Sequence, residues 1–301
     1  MIADLFINTI IFLPLVAAGY ITYLKLRMAD LSLETTWAVS GIVTLQLFNG
    51  TEIFNSSISL IAISPMIGIL ISSVTCFIFW CTGKQKLLSG MIAYFLVMAI
   101  GYRLLDGSAM IYAEFGANSF GFSDTRIASA LWISIVSCMC LILLAFWEKS
   151  KHGIILRIMG ETNGGASSIL KRKDRNYYFI GILISGAFLG LGGAVYSIFY
   201  GTAMNANGIG LLVKALFASL AGERVLYFLR LTSRPTFWCV PVGAGILSFV
   251  LVVSEELSLK LQEDFNQVLL DTDKSALIGL LLLVLLFFRK RANTRITGAQ
   301  W

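Results

Sequence analysis

Residues 61–83 read IAISPMIGILISSVTCFIFWCTG, twenty-three consecutive positions without a single Asp, Glu, Lys or Arg. A helix needs about 20 mainly apolar residues to cross a bilayer, so this stretch reads as a membrane span. Five further runs meet the same criterion, at about 5–24, 127–147, 177–200, 237–255 and 275–288. Weaker runs at about 36–49, 88–105 and 203–221 are short or interrupted by Gly, Asn or charge. Interrupted spans are tolerated only where protein covers them or where they line a wet cavity. A solute pathway is therefore sought among these three.

The remaining composition agrees. Of the 301 residues, 57% are hydrophobic and 13% charged, against about 25% charged in an ordinary soluble domain. The mean hydropathy is +0.82. A net charge of +6 raises the question of nucleic acid, but the cations lie between apolar runs and do not gather on one basic face. No nucleic-acid partner is expected; anionic lipid headgroups are.

The cations also orient the chain. Of the 23 Lys and Arg residues, 18 fall in the segments 25–35, 84–88, 148–176 and 222–234 and in the tail from 289. The alternate segments hold Glu255, Glu256, Glu263, Asp264, Asp271 and Asp273. Basic connectors stay cytoplasmic, so nine spans, or ten with one hidden half-span, place the N-terminus outside and the C-terminus in the cytoplasm. The expected fold class is all-α, a polytopic transmembrane helical bundle forming one domain over residues 1–301. The first apolar run lacks a basic leader and a small-residue cleavage site, and reads as a retained span. Cys76, Cys81, Cys138, Cys140 and Cys239 show no CxxC spacing and read as buried free thiols.

The longest basic connector, about 148–176, contains KHGIILRIMGETNGG from Lys151 to Gly165. Leu156 and Met159 have the spacing of a short amphipathic helix, and Asn163, Gly164 and Gly165 form its stop. Such a helix either lies against headgroups or presents a face to a cytosolic partner. After it, Gly186, Gly190 and Ala194 share one helix face, with Gly193 beside them, which suits close helix packing. No strand precedes these glycines, so they are not a dinucleotide motif.

Polar groups at membrane depth mark candidate paths. Asp30 and Ser32 open the short second span, and helix capping explains them equally well. Asn205 and Asn207 precede the helix of Lys214, with capping again the alternative. Trp80, Trp132, Trp147 and Trp238 lie near span ends as interface anchors. The chain has no phosphate-binding loop, no HExxH and a single histidine, His152, so enzymatic chemistry is not expected within it.

The run Gly153-x-x-x-Arg157-x-x-Gly160-x-x-Asn163, the basic stretch Lys171–Arg175 and the Gly/Ala-rich helix resemble the coupling region of the ribose/branched-chain amino acid class of ABC permeases. Further stretches resemble the permeases of tryptophan/tyrosine-type ABC uptake systems. They are Arg27–Ser32, Asn205–Gly210, Leu220–Glu223 and Asp273-Lys274. Glu34-Thr35 departs from the acid-then-Gly pattern of that subgroup, and 106–126 matches loosely. The resemblance covers about residues 5–290 in the family's order. It implies a type II-like ABC importer permease of a bacterial inner membrane, carrying a small solute such as an amino acid. It further implies a second permease copy, usually identical in that family, an ABC ATPase subunit that supplies the ATP-Mg, and an extracytoplasmic solute-binding protein. On this resemblance Gly153, Arg157, Gly160, Glu161 and Asn163 would couple to the ATPase. An ion-coupled secondary transporter is the alternative, and would require intramembrane carboxylates.

Overall fold

A computed structural model of the chain describes residues 2–28, 30–50, 57–82, 85–113, 126–161, 174–229, 236–265 and 276–284. These residues form α1 (Ile2–Gly19), which runs on as a π-helix over Tyr20–Lys25, then α2 (Ser32–Gly50), α3 (Ser57–Cys81) and α4 (Lys86–Leu104). A short strand β1 (Ile111–Tyr112) precedes α5 (Arg126–Lys149), α6 (Lys151–Glu161) and α7 (Asp174–Tyr200). Strand β2 (Thr202–Ala203) and a 3₁₀ turn (Asn205–Gly208) lead into α8 (Leu211–Phe228) and α9 (Cys239–Phe265). Residues 276–284 are helical and are called α10.

Among the described residues, six helices are long and apolar enough to cross a membrane: Ile2–Lys25, Ser59–Cys81, Lys86–Leu104, Trp132–Lys149, Asn176–Tyr200 and Cys239–Ser258. The protein is thus a polytopic all-α bundle, and the two-residue strands form only an antiparallel clip between loops. The expected run 88–105 falls on α4. Run 36–49 falls on α2, of which nearly every side chain is buried; α2 packs against α3, α4, α7 and the 3₁₀ turn. Only 276–284 of the expected last span lies within the described residues.

Two prolines sit inside spans, Pro14 in α1 and Pro65 in α3. Each removes one backbone donor and frees the carbonyl four residues earlier. In both cases a serine takes the freed group: Ser137 of α5 donates to Ile10 O at 2.9 Å, and Ser64 donates to Ile61 O at 2.8 Å. Lipid offers no replacement donor, so the bundle supplies it from within.

Glycines set the closest helix approaches. Gly68 of α3 lies backbone to backbone with Gly186 and Gly190 of α7, and a Cβ on Gly190 would strike Ser64 O. Gly193 meets Trp37 O of α2 in the same manner. Neither crossing leaves room for a methyl group, so the α3–α7 and α2–α7 contacts are specified by the absence of side chains. Trp37, 1% exposed, fills the space next to Gly192 and stacks edge-on to Tyr196. Outward faces of α3, α4 and α5 remain apolar and exposed, with Leu70, Phe77, Phe95 and Phe146 among them. Of the five thiols, Cys76, Cys140 and Cys239 are buried; Cys81 and Cys138 instead face outward on α3 and α5.

Candidate functional site

The span expected at 203–221 is not one helix. Its first part, 202–210, is extended strand and a 3₁₀ turn, and regular helix begins only at Leu211. Gly210 adopts φ +78° at the N-cap of α8, a left-handed conformation that glycine reaches without steric cost. The irregular segment descends along α2. Ala203 packs with Ile42 and Leu45, Asn205 lies beside Val39 and Gly101, and Gly208 abuts Glu34 and Ala38. From Leu45 back to Glu34, α2 rises about 16 Å, half of a hydrocarbon core of roughly 30 Å. The N-terminus of α8 therefore opens inside the bundle, where its free N–H groups and partial positive charge need a partner.

Glu34 is that partner. Its Oε1 accepts the Leu212 N–H at 3.1 Å, and Lys214 on the first turn of α8 acts electrostatically on the same carboxylate. Sequence reading does not single out Glu34 as a site residue, because the helix start it caps is visible in sequence only as Gly208-Ile209-Gly210. Asn205 is 7% exposed, and its Nδ2 has no hydrogen-bond partner among the described residues. Thr36 and Ser40, one turn apart on α2, also carry buried hydroxyls without a partner there. Buried polar atoms of this kind are costly in an apolar medium, and they mark the middle of the bundle as a place where a polar solute would gain hydrogen bonds.

The other candidate path residues are placed as follows. Asp30 is fully enclosed; its Oδ1 accepts the Ser32 N–H at 2.9 Å, and its carboxylate rests against Gly90 of α4. Burial pushes the Asp30 carboxyl up from the usual carboxylate range. Ser32 accepts a hydrogen bond from the Thr75 hydroxyl at 3.0 Å. Both belong to the start of α2, where Asp30 accepts a backbone N–H and Ser32 ties the helix to α3. Asn207 is half-buried, and its N–H donates to Met204 O at 3.1 Å.

The coupling candidates gather on α6, which packs against the π-helix at the base of α1. Gly153 is buried with its Cα against Trp147 and Glu148, so its missing side chain allows the sharp α5–α6 turn. Leu156 is buried in the main core, whereas Lys151, His152, Ile154 and Ile158 are exposed. Arg157 is half-buried and within electrostatic reach of Tyr20 and Lys25. Gly160 and Glu161 close α6, and Asn163 and Lys171–Lys173 lie outside the described residues. Beneath α6 is an ion pair invisible in sequence: Lys25 Nζ and Glu148 Oε1 at 2.7 Å, with 1% and 12% side-chain exposure. Sequence reading places both in solvated connectors.

No family model matches the chain, and no curated protein or solved structure is significantly similar to it.

Proposed function

We propose that this chain is the membrane-spanning permease subunit of an ABC-type importer, moving a small solute, in the first instance an amino acid, across a bacterial inner membrane. One observation carries the reading: α6, an amphipathic helix between two spans, buries Gly153 and Leu156 against the bundle and turns Ile154, 50% exposed, and Ile158, 36% exposed, to its outer side. Residues four apart share a helix face, and an apolar pair beside Lys151 suits a groove on a cytosolic subunit. The broken span, with α8 starting inside the bundle, supports a transport role. The exposed faces of α3–α5 are available to lipid or to a second copy of the chain. Since the chain carries no phosphate-binding loop, the ATPase and its ATP-Mg belong to a partner, and a solute-binding protein delivers the cargo.

The test is co-purification of the tagged chain from its native membranes. An ATPase subunit accompanies the wild type and is lost from Ile154→Glu/Ile158→Glu and from Arg157→Glu, with monodispersity retained. Recovery of every variant and the wild type without any ATPase overturns the reading.

A second reading, an ion-coupled transporter, draws on the buried carboxylates of Asp30 and Glu34. Both accept backbone N–H groups at helix starts, which suits capping as much as ion binding. Uptake that follows a proton gradient without an ATPase selects this reading.

A further inference from the structure

The base of α1 is built unlike the rest of the bundle. Tyr20–Lys25 winds as a π-helix, with the following Leu26 N–H donating to Ile21 O at 3.0 Å. Arg27, two residues on, has φ +49°, a left-handed conformation unusual for a side-chain-bearing residue. π-segments are rare, appear mostly as single turns within α-helices, and are frequent at functional sites. Here the winding directs Tyr20 and Lys25 to one point. The Tyr20 hydroxyl donates to Glu148 Oε1 at 2.9 Å, and Lys25 Nζ lies 2.7 Å from the same oxygen and 4.9 Å from the Tyr20 ring centre. The second oxygen, Oε2, accepts the Phe237 N–H at 2.9 Å, just ahead of α9.

Glu148 therefore joins three elements through a single carboxylate: α5, which carries it, α1, and the entry to α9. It stands three residues before α6 begins at Lys151, and Gly153 of α6 lies directly on its backbone. The π-helix also packs against α6. A buried ion pair is costly to desolvate and replaceable by apolar side chains without loss of stability, so stability alone does not account for it. What it supplies is direction: both carboxylate oxygens are committed, and α6 cannot shift without moving them.

We propose that Glu148, with Lys25, Tyr20 and the Phe237 N–H, is the joint through which displacement of α6 is delivered to α1 and α9 together. The proposal deepens the permease reading, since α6 is the docking helix there, and it names Glu148 and Lys25 as positioning residues of the coupling.

Hydrogen–deuterium exchange on the full chain in nanodiscs tests the joint without any partner protein, so loss of ATPase co-purification would not bear on it. Gly153→Ala supplies the displacement, because its Cβ collides with Trp147 O. With the joint intact, exchange rises by about fivefold or more in α6, in residues 20–28 and in residues 237–243 together. In a Lys25→Met/Glu148→Met background the same substitution raises exchange in α6 alone. The reversed pair Lys25→Glu/Glu148→Lys covers the case in which that background fails to fold. It keeps the charge attraction but gives Phe237 N–H no acceptor, so the rise reaches 20–28 and not 237–243. A rise confined to α6 with the joint intact, or one spreading equally in all backgrounds, overturns the proposal.

Discussion

The hydroxyl of Ser137 on α5 donates 2.9 Å to the carbonyl of Ile10 on α1, the group that Pro14 deprives of its helical donor. A proline in one span is thus completed by a serine in another, 123 positions later in sequence. Ser137→Ala leaves that buried carbonyl unsatisfied and costs about 1–3 kcal/mol. In a Pro14→Ala background the helical bond re-forms and Ser137→Ala costs little. Thermal unfolding of the four proteins in one detergent gives the coupling energy; a cycle that sums to zero rejects the pairing.

Gly190 stands against Ser64 O and the backbone of Gly68. Gly190→Val forces α3 and α7 apart and lowers stability by about 1–3 kcal/mol or more. Gly245, with nothing within 4 Å of a built Cβ, is the control: Gly245→Ala is neutral or stabilising by up to about 1 kcal/mol. Equal effects at the two positions would show that the α3–α7 approach is not tight.

Removing one member of the Lys25–Glu148 pair leaves the other charge stranded. Lys25→Met and Glu148→Gln each lower stability, the former by about 3–5 kcal/mol, and Lys25→Met/Glu148→Gln recovers much of the loss. Denaturation midpoints of the three variants decide whether the pair is isolated from water.

Asn205 carries an amide nitrogen without a partner among the described residues. Asn205→Leu removes the unsatisfied group, so stability holds or rises by about 1 kcal/mol, while on the permease reading proposed above uptake of radiolabelled solute falls. Unchanged uptake together with lower stability would assign Asn205 to packing.

Asp30 titrates above the ordinary range because burial disfavours its charge. The folded state therefore holds a proton that the unfolded chain has released, and stability falls as pH climbs above about 4. Asp30→Asn removes that part of the slope. Stability curves that are parallel between pH 4 and 8 would reject it.

Much of the architecture was legible along the chain because crossing a bilayer imposes a length and an apolarity that any window reveals. The run 61–83 became α3, and Gly186, Gly190 and Gly193 share a helix whose faces meet α3 and α2. Run 203–221 read as a weak helix because hydropathy records how apolar a segment is and not how its backbone is paired. Ala203 pairs with Ile111 of β1, the 3₁₀ turn bonds within itself, and Ala203 and Gly208 pack against α2.

By itself, the order of residues determined that long apolar helices alternate with charged connectors, since desolvating the charges within a hydrocarbon layer is prohibitive. It also located the amphipathic segment that became α6. Only the tertiary structure decided that Lys25 and Glu148, each at a span end and 123 positions apart, meet out of water, and that Glu34 closes the start of α8. These pairings depend on which helices lie side by side and on how each is rotated, and neither hydropathy nor charge counting carries that information.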